Sequence, residues 1–228
     1  MARVCNHANI VDFVGIVLHP RPALVTRFME HGSVERLLVR PGTHKDRLSQ
    51  LEVVRMAADA AAGLIHLHAT GIVHRDLSSR NLLVDKGMHV RVADFGFSRA
   101  KTVGRSKGYT RTTMGPVKWL APEAFRKQYS EKSDVFSFGC TLWEMLVGKT
   151  PWDGVEPFEV MLAVYHGKRL PIPDSLPTPL ATIIKACFAH DPLARPTMPQ
   201  VHASLMQFLR SQAAPPAPMH ATPHSHSP

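Results

Sequence analysis

Residues 74–81 read HRDLSSRN, and this stretch decides how the rest of the chain is interpreted. Residues 94–96 read DFG, eighteen positions after Asp76, and residues 121–123 read APE, twenty-seven positions after Asp94. Each tripeptide alone arises by chance, but the three in this order and at these spacings form a specific signature. We therefore expect one folded unit built around these segments.

The residue types in these segments suit phosphate chemistry. Phosphoryl transfer depends on positioning and on charge neutralisation more than on covalent catalysis. Asp76 is the candidate carboxylate that accepts the proton of an attacking hydroxyl. Asn81 and Asp94 offer the hard oxygen ligands that Mg²⁺ prefers. The alternative, that Asp76 and Asn81 are only turn residues between strands, leaves the ordered set unexplained.

The set resembles the catalytic signature of the protein kinase family. PVKWLAPEA at 116–124, KSDVFSFG at 132–139 and DPLARP at 191–196 extend the resemblance, which covers about residues 3–209. It implies an α+β, protein-kinase-like fold, with a mainly α-helical C-terminal lobe and a truncated β-rich N-terminal lobe. It also implies transfer of the ATP γ-phosphate, with Mg²⁺, to Ser, Thr or Tyr hydroxyls of protein substrates in signal transduction.

The resemblance assigns roles residue by residue. It makes Asp76, Arg80 and Asn81 catalytic, and it makes Asn81 and Asp94 the metal ligands. The residues that it implies for the nucleotide pocket are Thr26 at the back, Arg27, Phe28 and Met29 in the adenine-pairing hinge, and Leu83 beneath the adenine.

The same resemblance implies regulatory and structural residues. Arg75 is expected to meet a phosphate on the loop after DFG, where charge-assisted hydrogen bonds would order the loop. The hydroxyls available there are Tyr109, Thr110, Thr112 and Thr113. Glu123 and Arg195 are expected to form an ion pair, and Asp134 is expected to hold the backbone of the HRD segment.

The sequence favours no single type of acceptor hydroxyl among Ser, Thr and Tyr. Arg80, four residues after Asp76, is typical of tyrosine kinases, and Ser78 stands where many Ser/Thr kinases have Lys. The Thr-rich segment before Gly115 favours the tyrosine-kinase-like group, whose members mostly modify Ser and Thr. Both specificities stay open at this point.

Part of the family pattern is missing. No G-x-G-x-x-G segment precedes residue 74, and neither the strand Lys nor the helix Glu of the small lobe is found. Two interpretations stay open: the sequence belongs to a longer kinase, or it is a catalytically inactive, kinase-like fragment that binds proteins. Two small-lobe strands alone would expose apolar surface, so a partner covering them is expected.

Hydrophobic periodicity predicts the local structure. A kinase domain over 1–210 and a disordered Pro/His/Ser-rich tail over 211–228 are expected. Strands are predicted at 10–18 and 23–28, with brief ones at 72–73, 82–84 and 90–92, and a long loop is predicted at 98–116. Helices are predicted over 51–65 (ending near Gly71), 134–147, 157–166, 179–189 and 199–210.

Composition narrows the function classes. The 228 residues are 44% hydrophobic, which excludes a wholly disordered chain. The net charge of +9 admits a nucleic-acid module as an alternative, but no zinc-finger spacing, RNP pattern or basic helix supports it, so no nucleic-acid partner is expected.

Three scattered cysteines, with neither a signal peptide nor a membrane span, predict a cytoplasmic protein. A metal-binding tail at His220, His224 and His226 is a further, weaker alternative.

Overall fold

The computed structural model describes residues 6–39, 48–95 and 117–213. The described residues form two small antiparallel sheets and a set of packed helices. The strands are β1 (Phe13–Val17), β2 (Ala23–Thr26), β3 (Gly32–Ser33), β4 (Leu82–Val84) and β5 (Val90–Val92). The helices are α1 (Val34–Leu38), α2 (Gln50–Ala69), α3 (Glu131–Val147), α4 (Pro157–Tyr165), α5 (Thr178–Cys187) and α6 (Met198–Ala213), with 3₁₀ turns at Ser79–Asn81, Val117–Trp119, Pro122–Arg126 and Pro192–Ala194.

Two separate sheets hold the strands. β1 pairs with β2, and β3, β4 and β5 form a second sheet in that order. The N-terminal segment joins the second sheet, because the Val11 N–H donates to the Val92 carbonyl at 3.0 Å and the Val92 N–H donates to the Asn9 carbonyl at 2.9 Å. The predicted strands at 10–18, 23–28, 82–84 and 90–92 are therefore confirmed, with trimmed ends.

Helix α2 begins and ends at clear sequence signals. Ser49 and Glu52 form a capping box at its N-terminus. At its C-terminus Gly71 adopts φ 75°, which is accessible to glycine without strain, and the Ile72 N–H returns to the Leu67 carbonyl at 2.9 Å. This helix-ending motif uses Ile72 as its apolar anchor, so the strand predicted at 72–73 is wrong.

Helix α3 is the buried centre of the helical part. Every residue from Ser133 to Met145 is buried, as the apolar run predicts. Gly139 allows α5 to approach, since a Cβ at this position would lie 2.6 Å from the Cys187 Cβ. Gly148, at φ 68°, ends the helix as its left-handed cap.

Helix α6 extends past the predicted domain boundary. It includes residues 211–213, which the composition assigned to the tail. Gln and Ala sustain a helix, the Ser211 hydroxyl donates to the Phe208 carbonyl at 2.7 Å, and no proline occurs between Pro199, in the first turn, and Pro215. Residues 214–228, and with them the three tail histidines, lie outside the described residues.

The β1–β2 hairpin presents apolar side chains to solvent. Val14 is 66% exposed and Ile16 is 57% exposed, and all four residues of β2 are exposed. A two-stranded sheet is marginal on its own because it buries little surface. Among the described helices none combines the length and apolar composition that a membrane crossing requires.

Candidate active site

Asp134 anchors the HRD segment to the central helix. Its two carboxylate oxygens accept hydrogen bonds from the backbone N–H groups of His74, at 2.8 Å, and Arg75, at 2.9 Å. His68 Nε2 lies 2.8 Å from the Asp134 Oδ2 atom. Since Asp134 is almost fully buried, these bonds fix the segment against α3 in a low-dielectric environment. This is the contact that the resemblance implied for Asp134.

The His74 ring connects the HRD and DFG segments. It is fully buried, and burial lowers the pKa of the imidazole, which favours the neutral ring. Its Nδ1 atom accepts from the Asp76 N–H at 3.3 Å, and Nε2 lies 3.0 Å from the Ala93 carbonyl. A neutral ring protonated at Nε2 satisfies both contacts, and it ties Asp76 to the residue before Asp94.

Strand pairing brings the candidate metal ligands together. β4 and β5 pair Leu82 with Val92, so Asn81, which precedes one strand, lies at the same end as Asp94, which follows the other. The Ala93 N–H donates to the Asn81 carbonyl at 2.9 Å, which closes this end of the hairpin. Two candidate oxygen ligands, thirteen positions apart in sequence, therefore lie at the same end of the hairpin.

The Asn81 side chain is oriented for its proposed role. Its Nδ2 group donates to the Asp76 carbonyl at 2.6 Å. With the nitrogen engaged, the amide oxygen is the atom available to a cation. Asp94 is exposed and has a left-handed backbone, φ 57°. These oxygen donors fit Mg²⁺, which commonly takes one or two protein ligands together with phosphates and water. No cluster of three metal-ligating side chains occurs in the described ranges.

Asp76 is a half-buried carboxylate with raised proton affinity. Burial raises the pKa of Asp76 and the Asp94 charge adds to the effect, while His74, Asn81 and Arg80 partly oppose it. A carboxylate that is more basic than an ordinary aspartate is a better proton acceptor. The arrangement therefore suits a general base beside a cation site.

The residues expected at the adenine end of the pocket lie on one continuous segment, from Thr26 at the end of β2 to Met29. Thr26 is exposed on β2, Phe28 is 78% exposed and Met29 is buried. The Arg27 N–H donates to the Asp12 carbonyl at 3.0 Å, and the Met29 carbonyl accepts from Gly32 at 3.1 Å.

Leu83 lies outside that segment, on the neighbouring sheet. It is half-buried in the middle of β4, between Ser33 of β3 and Arg91 of β5. The hinge candidates and Leu83 therefore belong to different sheets.

Arg75 directly precedes Asp76 in sequence, and one of its guanidinium nitrogens is buried. Its backbone has φ 69°, and its guanidinium lies over the Tyr129 ring, 5.5 Å from the centroid. Its Nε atom is buried without a hydrogen-bond partner among the described residues. Its four expected partners, Tyr109, Thr110, Thr112 and Thr113, lie outside the described residues, as does Gly96 of DFG.

Glu123 and Arg195 form a bidentate ion pair. Arg195 Nη1 and Nη2 donate to the two Glu123 carboxylate oxygens at 2.7 and 2.8 Å. Burial alone would raise the pKa of Glu123, but Arg195 and the Ser133 hydroxyl hold it below its usual range. The pair fixes the APE segment to the helical part.

Sequence reasoning missed two residues near the site. His68 contacts Asp134, and Glu144 accepts a hydrogen bond from Trp119 at 3.0 Å. Glu144 carries a signal that could have found it, because it is the only acid in the apolar run 135–147. His68 carries no such signal, since His also occurs at His66 in the same turn.

We expect Asp134→Asn to lower the free energy of unfolding by about 1–3 kcal/mol. The amide has one accepting oxygen where the carboxylate has two, so one backbone N–H is left facing an NH₂ group. Urea unfolding followed by far-UV circular dichroism measures the change. Asp174→Asn is the matched control, because Asp174 is exposed. Equal stability of the two variants would contradict the anchoring role.

Comparison with known proteins identifies the family of the chain. A family model described as protein tyrosine and serine/threonine kinase matches residues 1–205. The probable serine/threonine-protein kinase SIS8 of Arabidopsis thaliana is 42% identical over 89% of this chain and 20% of that protein. Serine/threonine-protein kinase CTR1 of the same plant is 40% identical over 92% of this chain and 26% of that protein.

The chain covers a larger share of a third relative. The serine/threonine/tyrosine-protein kinase HT1 of Arabidopsis thaliana is 36% identical over 89% of this chain and 51% of that protein. The chain thus spans between a fifth and about half of the length of these relatives. On its sequence match and its tyrosine-kinase-like relatives, the chain belongs to the protein kinase superfamily, in the tyrosine-kinase-like group.

Proposed function

We propose that this chain carries the phosphate-transfer site of a protein kinase that moves the ATP γ-phosphate to Ser and Thr hydroxyls of proteins. The observation that carries the proposal is the convergence of Asp76, Asn81 and Asp94 at one end of the β4–β5 hairpin. Tyr is a second acceptor to test, since one relative is named a serine/threonine/tyrosine kinase. Protein hydroxyls are the substrates in either case.

Each site residue has a separate role in the proposed reaction. Asp76 takes the proton of the attacking hydroxyl as that oxygen bonds to the γ-phosphorus and the bond to the β-phosphate oxygen breaks. Asn81 and Asp94 would hold Mg²⁺ through their side-chain oxygens. When bound there, Mg²⁺ would supply positive charge opposite the transferring phosphate. Arg80 supports the catalytic segment, residues 74–81, from its place before Asn81.

The adenine end of the pocket is proposed at the segment after β2. The Arg27 carbonyl and the Met29 N–H have no hydrogen-bond partner among the described residues. They are the acceptor and donor that a purine edge requires. Thr26 and Leu83 complete the proposed nucleotide-binding set.

Regulation is proposed to act through Arg75. The buried Nε atom, which has no hydrogen-bond partner in the part of the chain that the structure describes, supports an anionic ligand at this position. A phosphate on Tyr109, Thr110, Thr112 or Thr113 would supply the acceptor oxygens that a guanidinium prefers. Structural support of the loop is assigned to Glu123, Asp134 and Arg195.

The exposed β1–β2 hairpin is proposed to be covered by another polypeptide segment. Exposed Val14, Ile16 and Leu18 support this, because apolar edge strands recruit further strands. A cytoplasmic location is also proposed, since the reaction uses ATP and the buried Cys140 and Cys187 are free thiols.

We expect Mg²⁺·ATP to stabilise the chain by about 2.7 kcal/mol at a hundred times its Kd. Thermal unfolding, with ATP alone and with Mg²⁺·ATP, measures this. Asp94→Asn is expected to remove most of the Mg²⁺-dependent part because a metal ligand loses its charge, while Asp174→Asn keeps it.

The alternatives give different outcomes. Absence of any Mg²⁺-dependent stabilisation would contradict nucleotide binding by this chain and favour a protein-binding module. Salt-sensitive stabilisation by an oligonucleotide, without an effect of Mg²⁺·ATP, would favour a nucleic-acid partner instead.

A further inference from the structure

Glu144 is a buried carboxylate that the proposed chemistry does not use. It lies in the last turns of α3, is 4% exposed, and accepts a hydrogen bond from the Trp119 indole N–H at 3.0 Å. Trp119 belongs to the 3₁₀ turn that precedes APE. The bond therefore joins the central helix to the segment that follows the loop after DFG.

The Trp119 ring passes this contact to the catalytic segment. The Arg80 guanidinium lies over the indole, 5.5 Å from the ring centroid, and this geometry favours a cation–π interaction. Arg80 is next to Asn81 in sequence. Arg80 Nε also lies 3.9 Å from a Glu35 carboxylate oxygen in α1. One line of contacts thus runs from α3 through Trp119 and Arg80 to α1.

A cavity opens beside the carboxylate. Its volume is about 640 Å³, and Glu35, Arg36, Glu144 and Lys149 supply the charged groups of its lining. The cavity lies between α1 and the end of α3, and it gives solvent a route to the carboxylate.

We propose that Glu144 is a positioning residue, which holds the Trp119 indole against Arg80 and thereby sets the 117–121 segment relative to the catalytic segment. The kinetic consequence rests on the proposed kinase function. The contact between Glu144 and Trp119 does not depend on that function, so the contact and its kinetic effect are tested separately.

The charge on Glu144 supports a pH-sensitive contact. Burial raises the pKa of Glu144 to about 7, the nearby Ser79 and the hydrogen bond from Trp119 oppose this shift, and Glu35 adds to it. A neutral acid accepts a weaker hydrogen bond than a carboxylate. The contact with Trp119 should therefore weaken as the pH falls through about 7. The charged or titratable groups around it are Glu35 and Arg36 of α1, Arg80, Lys149 and, on its own helix, Cys140.

The contact is tested by NMR on the ¹⁵N-labelled chain, which has three tryptophan indoles. Trp119→Phe assigns the Trp119 signal by its disappearance. We expect this signal to move with a midpoint near pH 7, and Glu144→Gln to abolish the movement. The Trp143 indole is the internal control, because it donates to the Pro171 carbonyl at 2.7 Å and should not respond to Glu144→Gln. A titration that persists in Glu144→Gln would overturn the contact.

The positioning role is tested by peptide phosphorylation. We expect Glu144→Leu to raise the KM for the peptide about tenfold, without changing the KM for ATP, since the nucleotide end is untouched. Glu144→Gln should restore the peptide KM to within about twofold, because the amide oxygen still accepts from Trp119. A peptide KM that is unchanged in Glu144→Leu, in an enzyme that transfers phosphate, would overturn the positioning role. An enzyme that transfers none would count against the proposed function alone, and the NMR titration would still decide the contact.

Discussion

Replacing Asp76 by Asn is expected to slow phosphate transfer to a protein hydroxyl by about 10²–10⁴-fold, the usual contribution of a general base. The amide has nearly the same shape but cannot take the proton. Transfer of ³²P from ATP to a generic acceptor protein measures the loss. Mg²⁺·ATP stabilisation should be retained, because Asp76 is not among the proposed metal ligands.

The same variant should not destabilise the fold. Because burial raises the pKa of Asp76, the folded chain disfavours the charged form, and a neutral Asn removes that cost. We expect the thermal unfolding midpoint of Asp76→Asn to equal or exceed that of the parent. Full activity in Asp76→Asn would exclude the assigned role. A collapse of stability would show that the carboxylate serves the fold.

The pH dependence of transfer follows from the same shift. Activity requires the ionised form of Asp76, so the rate should fall as the pH drops through its raised pKa. The acidic limb of the profile is therefore expected above the range of an ordinary aspartate.

Replacing Arg195 by Met is expected to lower the free energy of unfolding by about 3–5 kcal/mol, as expected when a buried ion pair loses one partner. Arg195 is 2% exposed and also donates to three backbone carbonyls, those of Lys132, Ala189 and His190. Without Arg195, the Glu123 carboxylate and these three carbonyl groups lose their hydrogen-bond donor at the same time. Urea unfolding measures the change, and Arg210→Met is the matched control on the exposed face of α6.

A double variant separates the pair from the rest of the network. Glu123→Gln combined with Arg195→Met should lose less than the two single changes together, because no charge remains unpaired. Strict additivity would argue against direct coupling. Since the pKa of Glu123 is held low, the stabilisation by the pair is complete above the ordinary carboxyl pKa and is lost as the pH falls through the lowered one.

The local elements of this fold were largely predictable from the sequence. Apolar periodicity predicts α2 and α3 to within a few residues, because Gly71 and Gly148 lie within one turn of the C-terminus of the helix that each follows. Apolar character at 72–73 predicts a strand wrongly. Ile72 is apolar because it anchors the end of α2, and no local pattern distinguishes such an anchor from a pairing residue.

The candidate site was predictable only in part. The order of the motifs predicts Asp76, Asn81 and Asp94 as candidate site residues, because each lies within a short motif that can be found in the sequence alone. The bond between Glu144 and Trp119 spans twenty-five positions, and that between His68 and Asp134 spans sixty-six. Contacts of this kind depend on how helices pack, which composition and spacing do not encode.

The β4–β5 hairpin also bears on how such proteins are recognised. The thirteen positions from Asn81 to Asp94 span the two strands and the turn Asp85–His89, which the Asp85 carboxylate holds through the N–H groups of Gly87 and His89. The chemistry requires only that the two ends meet. A distant homologue with a longer turn would keep the proposed cation site at a different sequence interval. A search with a fixed gap would overlook it, whereas a search based on strand register would find it.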